Sequence, residues 1–189
     1  MKTGLFFGSF NPVHVGHLAI ANYMAEYTPN NEIWFVISPH NPFKKKKNLL
    51  DDYERLELVH KAINDDPRFR ASDIEFRMPK PSYTIDTLTY LKEKFPRHEF
   101  SLIMGSDGLS TFHKWKNAAE IVKQYHRFVY PRPDHLPPYP NFENATEVKA
   151  PLMEISASFI RKALKHNKNI KHFLPHGCYE YIDKMNFYK

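Results

Sequence analysis

Gly8-Ser9-Phe10-Asn11-Pro12-Val13-His14-Val15-Gly16-His17 is the stretch whose reading decides the fold of this chain. The residues ahead of it, Thr3–Gly8, form a short apolar run of the kind that makes a buried strand. Asn11-Pro12 then ends the strand, because proline offers the ladder no N–H and restricts the residue before it. From Val15 onward, through His17-Leu-Ala-Ile-Ala-Asn-Tyr-Met-Ala-Glu26, composition and spacing are helical. His14 and His17 therefore sit at the mouth of a strand-to-helix turn, three apart and sharing a face. The amides of that helix start point the same way, and the dipole there favours anions. Two imidazoles and a set of backbone N–H groups converging on one point make a receptor for polyphosphate.

Outward from this block, apolar β-rich runs alternate with amphipathic helical segments. Strands are predicted over Thr3–Gly8, Ile33–Ser38, Phe69–Phe76, Phe100–Gly105, Arg127–Tyr130 and Glu147–Met153. Helices are predicted over Val15–Tyr27, Asp52–Asn64, Ile85–Phe95, Ala118–Lys123, Ala157–His166 and Cys178–Phe187. This alternation is that of an α/β protein, a parallel sheet with helices on both faces. Ligands of such folds lie at the carboxyl ends of the strands, where the informative turns of this chain fall. The five prolines of Pro131–Pro140 read as a stiff surface loop. No repeat or linker divides the chain, so residues 1–189 are expected to form a single domain with a short helical C-terminal part.

Composition narrows the function classes. The chain has 189 residues, 42% of them hydrophobic and 15% aromatic, which suits a globular protein with an ample core. A formal net charge of +6 points to an anionic partner, and small phosphorylated molecules account for it as well as nucleic acid does. Cys178 stands alone, which excludes an intrachain disulfide and any cysteine cluster, and reads as an inert packed thiol. No apolar run approaches membrane-spanning length. Asn11 and His14 interrupt any signal-like region, and a cytoplasmic protein is expected.

Four further blocks carry chemistry. In Ile155-Ser156-Ala157-Ser158-Phe159-Ile160-Arg161, Ser156 is a natural N-cap, with Ser158 in the first turn and Arg161 a turn further in. Hydroxyls, amides and a guanidinium gather there as a second anion grip, although a plain capped helix with a surface arginine has the same spacing. The run Lys44–Lys47 follows Ser38-Pro39-His40-Asn41-Pro42-Phe43; such lysines are mostly a solvated loop, and one or two can swing over phosphates as point charges. Pro81-Ser82-Tyr83-Thr84-Ile85-Asp86-Thr87-Leu88 opens a helix with hydroxyls that serve either as caps or as ligand contacts. In Ile103-Met104-Gly105-Ser106-Asp107, a glycine ends a buried strand and permits close approach to the backbone. Asp107 suits a ribose or a helix cap, and Trp115 a ligand ring or the core. His60 falls in a predicted helix and His98, His113, His126 and His135 in or beside turns, while His166, His172 and His176 lack the spacing and carboxylate company of a zinc site.

The first block resembles the signature of the nucleotidylyltransferase superfamily, Gly-[Ser/Thr]-Phe-[Asp/Asn]-Pro-x-His-x-Gly-His. It departs in carrying Phe7 where members often have a second glycine. The block at residues 155–161 matches the superfamily's Ile-Ser-[Ser]-[Ser/Thr]-x-Ile-Arg motif, with Ala157 at the usual second serine. The Ser82-Tyr83-Thr84 stretch, and Gly105-x-Asp107 with Leu109 and Trp115, look like those of bacterial nicotinate-nucleotide adenylyltransferases. Those enzymes often read Pro-Pro-His-Lys after the second strand; here Pro39-His40 is followed by Asn41.

The resemblance implies a Rossmann-like doubly wound sheet and adenylyl transfer from ATP to nicotinate mononucleotide in NAD biosynthesis. By it, His14, His17, Arg161 and Lys44 or Lys46 are catalytic, and Gly8, Ser9, Phe10, Gly105, Asp107, Ser156 and Ser158 join His14, His17 and Arg161 in holding ATP. Ser82, Tyr83, Thr84 and Trp115 are implied to hold the nicotinate nucleotide, with Trp115 stacked on its ring. Mg²⁺ is expected to travel with ATP and to need few or no protein ligands. Nucleic acid and membranes are not expected partners, and a homo-oligomer is left open. Nicotinamide mononucleotide, alone or beside the nicotinate form, is the alternative acceptor. A non-catalytic nucleotide sensor is the alternative of another class.

Overall fold

In each long strand, neighbouring apolar side chains point to opposite sides, and this pleat gives the sheet two buried faces. The computed structural model describes residues 1–39, 49–135 and 137–189. Its strands are β1 (Lys2–Gly8), β2 (Glu32–Ile37), β3 (Phe69–Ser72), β4 (Glu99–Gly105), β5 (Arg127–Tyr130) and β6 (Ala145–Glu147). The helices are α1 (Val15–Tyr27), α2 (Asp52–Ile63), α3 (Thr84–Lys94), α4 (Ala118–Gln124), α5 (Ala157–Lys165) and α6 (Cys178–Lys184). All strand pairs are parallel, in the order β3-β2-β1-β4-β5-β6. Phe6 of β1 lies level with Phe35 of β2 on one side and Ile103 of β4 on the other.

Phe6, Ile33, Phe35, Ile37 and Ile103 point to one face, where they pack with Ile20 and Met24 of α1, Leu58 of α2, Ile160 of α5 and Ile182 of α6. Leu5, Trp34, Val36, Leu102 and Met104 point to the other, against Leu88 and Leu91 of α3 and Ile121 of α4. The sheet is thus wound on both faces, as the alternation predicts. Strand order reverses between β1 and β4, so their carboxyl ends open a crevice. Cys178 is buried in the first of these layers, where burial pushes its thiol up to about 12 and leaves it inert.

Three element boundaries differ from the sequence reading. The strand expected over Phe69–Phe76 ends at Ser72, and Ile74–Arg77 turns as a 3₁₀ helix that carries Glu75 into the interior. The strand expected over Glu147–Met153 lies earlier, at Ala145–Glu147; Val148 gives one more N–H to Val129, and Ala150-Pro151 then leaves the ladder. The last helix stops at Lys184, because Asn186 takes a left-handed backbone (φ 55°) and the Phe187 amide closes back on Ile182. Beyond β4, Ser106–Lys114 form a long 3₁₀ segment that period counting did not find.

Candidate active site

At the exit of β1 the chain turns sharply through Phe10, whose φ of 42° is unusual for so bulky a residue. Its ring fills the space beneath Gly8 and packs against Phe6, Phe35 and His17, with centroids 5.4–5.7 Å away for the two phenylalanines and 5.1 Å for the histidine. Phe7 turns to the α3 side of the sheet and leaves Gly8 clear. The rings of His14 and His17 stack at 3.7 Å. His14 is the N-cap of α1, and its amide N–H donates to His17 Nδ1 at 3.2 Å. An imidazole that accepts at Nδ1 carries its proton, when neutral, on Nε2. Burial, helped by the charge of Arg132, lowers the pKa of His14 to about 4, so it is neutral at physiological pH. Gly16 leaves room beside it: a Cβ there would lie 3.1 Å from His14 Nδ1, close enough to press on the ring.

The block at residues 155–161 meets this turn through space. Ser156 caps α5 by accepting the Phe159 amide at 3.2 Å. Arg161 gives one guanidinium nitrogen to the Asn11 carbonyl at 2.6 Å and another to Ser158 Oγ at 3.2 Å. Asn11 Oδ1 in turn accepts the Leu50 amide at 3.2 Å and the hydroxyl of Tyr188 at 2.7 Å. Arg55, wholly buried, donates to the carbonyls of Ser9 (2.6 Å), Ser38 (3.1 Å) and Leu50 (3.1 Å), and pairs with Asp52. One guanidinium therefore braces the loops that leave β1 and β2. Neither Arg55 nor Tyr188 stands out in the sequence, since Arg55 reaches Ser9 across 46 residues and Tyr188 reaches Asn11 across 177.

At the exit of β4, a Cβ on Gly105 would sit 2.4 Å from Asp107 Oδ1 and 2.9 Å from Arg132 Cγ. Arg132 follows β5, donates its amide to Ser106 Oγ at 2.9 Å and lies 3.8 Å from Asp107. It is a cation of the crevice that the proline-rich reading of its segment passed over. Trp115 is half-buried against Phe112, with centroids 5.1 Å apart. Thr84 and Tyr83, also half-buried, begin α3 on the same face of the sheet. The hydroxyl of Ser82 turns inward and donates to Glu75. His14, His17, Ser158, Arg161, Gly105, Asp107 and Arg132 thus belong to turns that leave the carboxyl ends of β1, β4 and β5 or that dock on them. Lys44 and Lys46 lie outside the described residues.

A hollow of about 740 Å³ lies at the opposite rim of the sheet, among Lys2, Tyr27, Phe100, His126, Phe128 and Lys149. Polar groups there satisfy one another, Ser101 with Asn30, and His126 with Asn144 and Thr146. The strands present their amino ends to it, so it lacks the helix starts that receive a phosphate. Among the described residues, no cluster of histidine, cysteine or carboxylate could hold a metal ion. No helix there is long and apolar enough to cross a membrane.

Residues 5–163 match the model of the cytidylyltransferase-like family. The chain is 51% identical over its full length, and over all of the relative, to a Flavobacterium psychrophilum protein described as a probable nicotinate-nucleotide adenylyltransferase. It is 48% identical over 96% of its length, and 90% of the relative, to a Bacteroides fragilis protein of the same description. Among solved structures, the Plasmodium falciparum nicotinic acid mononucleotide adenylyltransferase complexed with NaAD shares the fold, with a TM-score of 0.81 and 22% identity over 99% of this chain and 97% of that one. Fold, crevice and these relatives agree: the chain belongs to the cytidylyltransferase-like family and, within it, to the nicotinate-nucleotide adenylyltransferases.

Proposed function

We propose that this chain, as one domain working in the cytoplasm, transfers the adenylyl group of ATP to nicotinate mononucleotide. A phosphate oxygen of the mononucleotide attacks the α-phosphorus of ATP, the bond to the bridging oxygen breaks, and pyrophosphate leaves. The products are pyrophosphate and nicotinate adenine dinucleotide. The nucleophile is already anionic at neutral pH, so no general base is needed. Catalysis consists of positioning and of stabilising the charge that gathers on the phosphates. The observation that carries this reading is the stacked His14–His17 pair at the start of α1, with Arg161 docked on the preceding turn.

His17, with Nδ1 occupied by the His14 amide, offers Nε2–H to a phosphate oxygen, and His14 stands beside it as an uncharged ring. Arg161 and Arg132 supply positive charge, and Ser158 is held by Arg161 with its own O–H available. Gly105 and Asp107 take the nucleotide along the exit of β4; Tyr83, Thr84 and Trp115 take the pyridine ring. We assign Ser82 to the support of that half, since its hydroxyl is engaged with Glu75. Lys44 or Lys46 is proposed to reach the phosphates. The donor set fits a Mg²⁺ carried on the nucleotide's own oxygens, where it would neutralise phosphate charge.

Pyrophosphate release with ATP, Mg²⁺ and either mononucleotide tests the reading. Strong preference for the nicotinate form is expected. Equal rates would make the enzyme dual in specificity, and release with neither would leave a nucleotide-binding sensor.

A further inference from the structure

Glu75 is 2% exposed, and no basic side chain among the described residues pairs with it. Its carboxyl instead collects hydroxyls: Thr87 donates to Oε1 at 2.7 Å, Ser82 to Oε2 at 3.0 Å, and Ser38 reaches it as well. These come from three separate places, the end of β2, the loop before α3 and the first turns of α3. Burying a carboxyl without a cation is unfavourable, so an apolar residue would serve simple packing better. What the carboxyl adds is a fixed relation between the loop that leaves β2 and the start of α3. That start needs it, because Tyr83, the N-cap of α3, gives no side-chain cap. Tyr83 and Thr84 lie between the two hydroxyls that Glu75 holds, Ser82 on one side and Thr87 on the other.

We propose that Glu75 is a positioning residue for the pyridine-nucleotide half of the site, acting through Ser82 and Thr87 to set where Tyr83 and Thr84 meet that substrate. This rests on the acceptor assigned above. Glu75 is buried and bonds the residues that flank Tyr83 and Thr84, so its effect is expected on the KM of that substrate. Glu75→Ala is expected to raise KM for nicotinate mononucleotide on the order of tenfold, with KM for ATP within about twofold. Glu75→Gln, whose amide can still meet all three rotatable hydroxyls, is expected to recover most of the loss. Hydrogen exchange read on the same proteins should speed up across residues 82–88 in Glu75→Ala and remain unchanged at the start of α1. The exchange arm needs no turnover. A wild type inactive with nicotinate mononucleotide would overturn the acceptor, whereas unchanged exchange at residues 82–88 would overturn the role of Glu75. Equal increases in both KM values would also overturn it, as the mark of a general loss of structure. Should Glu75→Ala fail to fold, Thr87→Val, which keeps the carboxyl and removes one donor, must show the same one-sided change in KM.

Discussion

At the exit of β1 the chain buries a histidine near arginines; behind α3 it buries a carboxyl among hydroxyls. Each half of the site thus encloses one titratable group without an opposite charge, and in each the charged form is disfavoured by burial. The resemblance ends there. His14 stands in the crevice itself, stacked on His17 and two residues from the glycine that makes room for it. Glu75 stands behind the crevice and reaches it only through other side chains. On the proposed reading, the first half would meet developing charge directly and the second would hold a binding surface still. Substitutions in the first should fall on kcat, and in the second on a single KM.

The largest effect is expected from His17→Ala. Removing one preorganised donor to transition-state charge lowers kcat by about 10²- to 10³-fold. Steady-state kinetics with nicotinate mononucleotide as the varied substrate should show its KM little changed. A rise in KM with normal kcat would place His17 among simple binding residues and erase the contrast between the halves. Gly16→Ala is the milder version, since its Cβ would press on the His14 ring from 3.1 Å. About a tenfold loss in kcat is expected, with the fold retained as read by circular dichroism.

Acid titration separates the halves by sign. His14 has its folded pKa near 4, below the unfolded value of 6.5. Between those values the unfolded chain binds the extra proton, so stability falls as pH drops from about 6.5 to about 4, by on the order of 3 kcal/mol. Glu75 has its pKa raised, so its contribution runs the other way: present below the unfolded value and lost as pH rises through the folded one. Melting temperatures of His14→Asn and Glu75→Gln, each compared with wild type across pH 4–8, should diverge in opposite directions. Parallel curves would show that neither group is buried as described.

How much was legible in the sequence follows the same division. His14, Gly16 and His17 lie within four positions of one another, so spacing alone places them at one helix start, and Ser156 to Arg161 are as local. The alternation of apolar runs was enough for the sheet and for both helical layers. Contacts that depend on distant partners were not readable. Arg55 looks like any helix arginine until its carbonyls at Ser9 and Ser38 are seen, and Tyr188 reaches Asn11 across 177 residues. Glu75 was hidden for a different reason: its segment has the composition of a strand, and the turn that buries it answers to hydroxyls on another element. Arg132 was hidden by the prolines around it.

The smallest effect is expected at Trp115, on the pyridine-nucleotide side of the proposed site. Its ring already leans on Phe112, 5.1 Å away, and is only half-buried. It therefore has a packing role and a free face at once. An aromatic stack contributes about 0.5–1.5 kcal/mol beyond area burial, which corresponds to roughly two- to tenfold in affinity. Trp115→Leu keeps most of the apolar contact to Phe112 and removes the stack. KM for nicotinate mononucleotide should rise within that range, while KM for ATP stays unchanged. If the melting temperature drops and neither KM moves, Trp115 belongs to the core alone, and recognition of the ring falls to the start of α3.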